Sequence, residues 1–154
     1  MSRSPEPGLL SRWLPVAVWA GVIWMFSTEA FSGEGTGGVV RGILLLFVPE
    51  ASPGTLESFH QVVRKLAHVT EFAILALLLG RAVLRDDLAF PGLAMRVLPA
   101  AVGWAAIDEL HQVFVPGRVG AVSDVLLDSL GVLIGFSAFV ALKPSLSSGR
   151  RSPA

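Results

Sequence analysis

The chain has 154 residues, of which 53% are hydrophobic and 16% charged, and its mean hydropathy is +0.66. That is too apolar for a soluble domain of this size and places the chain in a membrane. A formal net charge of +0 supplies no basic excess for a nucleic-acid partner, and the lack of cysteine excludes disulfides, thiolate nucleophiles and Cys-ligated zinc.

In chain order, Met1–Gly8 is polar and Pro-bearing, which predicts no fixed structure ahead of the membrane. Leu9–Ala30 carries an apolar core from Trp13 to Phe26 and predicts a first transmembrane helix at about residues 10–30. A signal peptide is the competing reading, with Arg3 and Arg12 as its charged end. Trp13, Trp19 and Trp24, and the lack of a small-x-small site after Phe26, favour an uncleaved helix. Phe31–Phe59 reads as a connector: FSGEGTGG as a flexible loop, then VVRGILLLFVP. That apolar piece is too short for a crossing of about 20 residues. It predicts an interfacial or re-entrant helix at about residues 39–48, or else a loop helix on the bundle surface.

The remaining apolar runs predict crossings at about residues 62–85, 94–115 and 122–143, and each reaches sufficient length only by including polar residues. His68, Thr70 and Glu71 are drawn into the second, Asp108 to Gln112 into the third, Asp124 and Asp128 into the fourth. Lys143 and Pro144 end the last helix, and Ser145–Ala154 reads as a solvated tail. The fold expected is therefore an all-α membrane protein: one domain over 1–154, a four-helix transmembrane bundle with the short helix in its first outer loop. With a cytoplasmic N-terminus, the inner side holds Arg3, Arg12, Arg81, Arg85, Arg96, Lys143, Arg150 and Arg151. The outer side holds only Arg41, Arg64, Lys65 and Arg118. This asymmetry predicts both termini in the cytoplasm and gathers the unusual polar residues in the outer leaflet.

Spacing groups these residues by helix face. Arg64 shares a face with His68, and His68 with Glu71; Asp108 pairs with His111, and Asp124 with Asp128. Glu109 points away from the Asp108 and His111 face by the helical angle. Glu71, Asp108, Glu109, Asp124 and Asp128 outnumber the fixed cations Arg64, Lys65 and Arg118 by two. Either some carboxylates carry protons, or the histidines are charged, or a divalent cation is bound.

At these residues the chain resembles the VanZ-like family of small membrane proteins. The motifs are RKLAHVTEF, then DELHQVFVPGR followed by DVLLDSLGVLIG; IWMFS at Ile23–Ser27 is also similar to the family's first helix. Val69 stands where an aromatic is usual and Phe72 replaces a tyrosine, which removes a hydroxyl. The resemblance implies a four-helix protein of the bacterial cytoplasmic membrane, linked to resistance to glycopeptide antibiotics, teicoplanin in particular. It implies a phenotype and no reaction.

Three readings of the polar residues compete. In the first, Arg64, Lys65 and Arg118, with Gln112, Asp124 and Asp128, hold a lipid-linked anionic envelope substrate such as a cell-wall precursor. There His68 or His111 is the general acid or base, oriented by Glu71 or Asp108. In the second, His68, His111, Asp108, Asp124 and Asp128 hold a divalent metal for hydrolysis. In the third, the cluster is a non-catalytic ion-pair network that locks the bundle, and the outer loops contact an envelope partner. Each residue also has a plainer use. Arg64 and Lys65 can snorkel as interfacial anchors, the histidines can bond across helices, and Asp128 with Ser129 can clamp two helices. Pro116–Gly117 reads as a turn, and Gly131 with Gly135 as a close helix contact. No P-loop, HExxH motif or PSGH and SR-x-H phosphatase signature is present, and Ser123 and Ser129 lack a base partner in sequence.

Overall fold

The structure, a computed structural model, describes residues 8–29, 33–84, 89–118 and 120–142. The polar N-terminal stretch before Gly8, the Arg85–Asp87 charges and the Lys143–Ala154 tail lie outside them. The described residues form five helices and no strand: α1 (Leu9–Phe26), α2 (Gly33–Phe47), α3 (Pro53–Val83), α4 (Phe90–Val113) and α5 (Val122–Leu142). All but α2 are long and apolar enough to cross a membrane. Their outward faces carry Leu14, Val18, Leu66, Leu110, Leu126 and Leu133, all exposed. In water such surfaces would drive aggregation, and in a bilayer they meet acyl chains.

Two helices start earlier than the apolar runs suggest. α2 begins at Gly33 and so includes GEGTGG, which reads from composition as a loop. Its 15 residues give a length of about 22 Å, short of the roughly 30 Å of hydrocarbon. α3 begins at Pro53, well ahead of residue 62. Ser52 caps it by accepting the Thr55 N–H through its side chain, and Pro53 occupies the first turn, where its missing N–H is harmless. At 31 residues α3 is about 46 Å long, so its polar first turns extend past the apolar layer.

α3 packs against each of the other four helices, and most closely against α5. The buried stripes follow the helical repeat: Phe72, Leu75, Ala76 and Leu79 on α3, Leu93, Val97, Ala101 and Ala105 on α4, Val132, Phe136 and Phe139 on α5, with Ile23 from α1. Two arginines fasten helix ends. Arg12, near the start of α1, donates to the carbonyls of Ala82 (2.6 and 3.1 Å) and Leu84 (2.8 Å), satisfying the orphan end of α3. Arg118 does the same for α1. The α1 and α3 axes are further tied by the Trp19 Nε1–H bond to the Glu71 carbonyl (2.9 Å).

The α3–α5 contact depends on glycine. A Cβ on Gly131 would overlap the backbone of Val69, and one on Gly135 the backbone of Ala73. The helices touch main chain to main chain there, as small-xxx-small pairs allow. Gly135→Ala is therefore expected to destabilise the bundle by about 1–3 kcal/mol through overpacking. Gly103→Ala, whose Cβ would meet nothing within 4 Å, is expected to leave the detergent unfolding midpoint unchanged. Thermal unfolding of both variants in the same detergent checks the pair.

Candidate functional site

Each inward stripe that is apolar at one end of the bundle becomes polar at the other. On α3, Phe72 and Leu75 give way to Glu71 and His68; on α4, Ala101 and Ala105 lead to Asp108, Glu109 and Gln112; on α5, Val132 and Gly131 lead to Asp128. These residues lie at the end of the bundle that holds the last turns of α1 and α4 and the first turns of α5. His68, Glu71, Asp108, Glu109, Gln112, Arg118 and Asp128 are all buried, Asp108, Gln112 and Asp128 completely so. Intramembrane ionisable groups of this kind are costly and mark function by default.

Gln112 is the centre of the α4 part. Its Nε2 donates to Asp108 Oδ2 and to Glu109 Oε1, both at 3.0 Å, while its Oε1 accepts from Arg64 Nη2 at 2.7 Å. A single amide so links two carboxylates to a guanidinium on α3. Asp108 is also approached by Ser27 from the end of α1: Ser27 Oγ lies 2.7 and 2.8 Å from the two carboxylate oxygens and 3.1 Å from the Ile23 carbonyl. Its one proton serves these acceptors in turn. Glu109 accepts through Oε2 from the Ala121 N–H (3.1 Å), which pins the entry to α5 onto α4.

Between α4 and α5, Val115 to Arg118 forms a tight turn closed by the Arg118 N–H on the Val115 carbonyl (3.1 Å). Pro116 and Gly117 occupy its middle, and Gly117 has φ 73°, a left-handed value a side chain would resist. The turn swings Arg118 back into the bundle, where Nη2 donates to the carbonyls of Phe26 (2.6 Å) and Thr28 (3.3 Å) at the end of α1. Burial, and after it the neighbouring Arg64 cation, holds the Arg118 guanidinium below its ordinary pKa, while Asp108, Glu71 and Glu109 pull the other way.

His68 and Asp128 meet across the α3–α5 contact. His68 Nδ1 stands 3.3 Å from Asp128 Oδ1, at ion-pair distance but not aligned as a hydrogen bond. Neither Asp128 oxygen has any hydrogen-bond partner, although the residue is wholly buried. Glu109 closes the group: one donor atom from each of His68, Glu109 and Asp128 lies within 4.8 Å of the others.

The remaining sequence candidates fall elsewhere. His111 is half-buried and stacks on Trp24, with ring centroids 4.0 Å apart, beside Trp104. Asp124 is half-buried in the first turn of α5, where the helix dipole favours a carboxylate, and Lys65 is exposed. Ser129 donates to the Val125 carbonyl of its own helix (2.7 Å), so it forms no clamp between helices. Of the network's members, Ser27 is not singled out by the sequence, and Glu109 is counted there among the carboxylates but set aside as pointing away from the Asp108 and His111 face. Glu109 was legible: it continues the Leu93, Val97, Ala101, Ala105 stripe at the same spacing of four, whereas His111 does not.

A family model described as VanZ/LLP1 matches residues 12–143, nearly the whole chain and all of this network. Neither the curated proteins nor the solved structures provide a match.

The Ser27 hydroxyl is expected to matter more than its size suggests. Ser27→Ala removes the donor facing a fully buried carboxylate and should cost about 1–3 kcal/mol. Thr28→Ala, which loses only an exposed bond to the Met25 carbonyl, should cost well under about 1 kcal/mol. Unfolding of the two variants side by side in one detergent measures the difference.

Proposed function

From a chain that belongs to the VanZ/LLP1 family and buries a polar network among apolar helices, we propose a membrane protein that binds or modifies a lipid-linked anionic component of the cell envelope. The observation that carries this reading is the burial of four carboxylates, a histidine and an arginine at one end of the bundle. A protein that needed only four packed helices would have no use for them, because apolar side chains of the same volume pack at least as well. With both termini cytoplasmic, as the Lys and Arg distribution favours, this end faces the outer leaflet, where envelope precursors are used. The link between the family and glycopeptide resistance accords with such a substrate: altering or shielding a lipid-linked precursor would change what the drug meets.

The positive side chains that suit a phosphate are Arg64, half-buried at the rim of the network, and the exposed Lys65 beside it. Arg118 has a different use, since its Nη2 holds the end of α1. The acyl or prenyl tail of the substrate would lie along the exposed apolar faces of the helices. His68, next to Asp128, is the group placed to carry a proton.

Native mass spectrometry of the protein released in mild detergent tests this reading. The wild type should retain a phosphate-bearing lipid, and Arg64→Ala or Lys65→Ala should each lower its occupancy about tenfold, the effect of removing one charge-assisted hydrogen bond. Equal lipid retention in all three proteins, or none in any, refutes it.

A further inference from the structure

We infer that His68, Glu109 and Asp128 form a binding site for one divalent transition-metal ion of the Zn2+ or Mn2+ class, and that this ion is what lets a carboxylate-rich cluster accept an anionic substrate. The inference rests on the reading that this network is the working site, and it names the cofactor that reading needs.

Three observations converge on it. The first is donor geometry. Metal–ligand bonds of about 2.1 Å separate adjacent donor atoms by about 3.0–3.4 Å and opposite ones by about 4.2 Å. His68 Nδ1 and Asp128 Oδ1, 3.3 Å apart, already stand at the adjacent spacing, and one donor atom from each of the three residues lies within 4.8 Å of the others, so the set closes on an ion by side-chain shifts of at most roughly 1.5 Å. The second is the state of Asp128. A wholly buried carboxylate with neither oxygen hydrogen-bonded bears a desolvation cost that only the His68 imidazole, 3.3 Å away, stands near enough to offset. One of its oxygens lies in the cluster, where a cation would satisfy it. The third is charge. Glu71, Asp108, Glu109 and Asp128 are buried with Arg118, and Arg64 is half-buried alongside. With all four carboxylates ionised and His68 neutral, as metal ligation requires, the two guanidiniums leave a surplus of two negative charges, the charge of one divalent ion.

The surrounding bonds look like the outer support of a metal site. Glu109 is oriented by the Gln112 amide and by the Ala121 N–H, yet each of its oxygens keeps a second lone pair for a ligand bond. Asp108, held by Ser27 and Gln112, stands outside the ligand set and serves to position Gln112. An imidazole beside two carboxylates suits zinc or manganese better than magnesium or calcium, which prefer oxygen throughout. Three protein ligands leave positions for water or for a substrate phosphate oxygen. A phosphate brought to a cluster in which carboxylates outnumber guanidiniums four to two would be repelled, whereas one brought to a metal would be held.

The test uses the full chain in detergent, loaded with Zn2+ or with Mn2+, desalted, and assayed for metal by inductively coupled plasma mass spectrometry and for phospholipid on the same samples. The wild type should hold about one ion per chain. Asp128→Asn and Glu109→Gln should each reduce it at least about tenfold, and Glu57→Gln, an exposed carboxylate outside the bundle core, should not. If either site variant fails to fold, the wild type decides alone: its unfolding midpoint should rise with the metal and fall back with chelator. A folded wild type that keeps neither ion, or site variants that keep as much as the wild type, overturns the metal site. Lipid retained without metal overturns it while leaving the lipid reading standing. Metal retained without lipid supports the site and removes the substrate proposed above.

Discussion

Hydrocarbon outside a helix bundle leaves a charged side chain only one direction in which to turn. The buried ionisable residues of α3, α4 and α5 therefore face one another, and each must find its partners within the bundle. Most of them do. Gln112 holds Arg64, Asp108 and Glu109 together, Ser27 attends to Asp108, and Ala121 attends to Glu109. Asp128 differs, because the site's hydrogen bonds stop short of it. A fold under no demand beyond stability would replace such a carboxylate with leucine.

Helix packing and site chemistry are the same contact seen at two heights. Gly131 and Gly135 let α5 lie against the main chain of α3 at Val69 and Ala73, and one turn toward the polar end that close approach sets Asp128 beside His68. A wider crossing would separate the pair. At the same end, Arg118 closes the top of α1 and Glu109 fastens the start of α5, so the loop that joins α4 to α5 is tied from both sides. Gly117 makes the turn that allows the first of these ties. The result is a preorganised site, with side chains held by partners that are themselves held.

Much of the architecture was legible in the sequence because hydrophobic length is a strong signal. The last three apolar runs, each too short without its polar neighbours, already required that His68, Glu71, Asp108 and Asp128 enter the apolar layer. Helix starts were less legible. Ser52–Pro53 is a good capping pair, but it opens a polar stretch that an eye for apolar runs treats as connector, and GEGTGG has the composition of a loop while forming the first turns of α2. Pairing Asp108 with His111 implied the wrong inward direction for α4. The apolar stripe from Leu93 points to Glu109, and His111 turns instead to the indole of Trp24. The use of Arg118 as a clamp on α1 was not readable at all, since it depends on which helix end the turn happens to meet.

The central claim is that Asp128 is retained for what it binds and not for what it holds together. Thermal unfolding of Asp128→Asn against the wild type, both in lipid-free detergent with chelator present, tests this most directly. With no hydrogen bond to lose and a buried charge removed, the variant should unfold at the same temperature as the wild type or higher. A loss of stability of roughly 3–5 kcal/mol, the cost of breaking a structural buried ion pair, would show that the carboxylate locks the bundle, and would contradict the account.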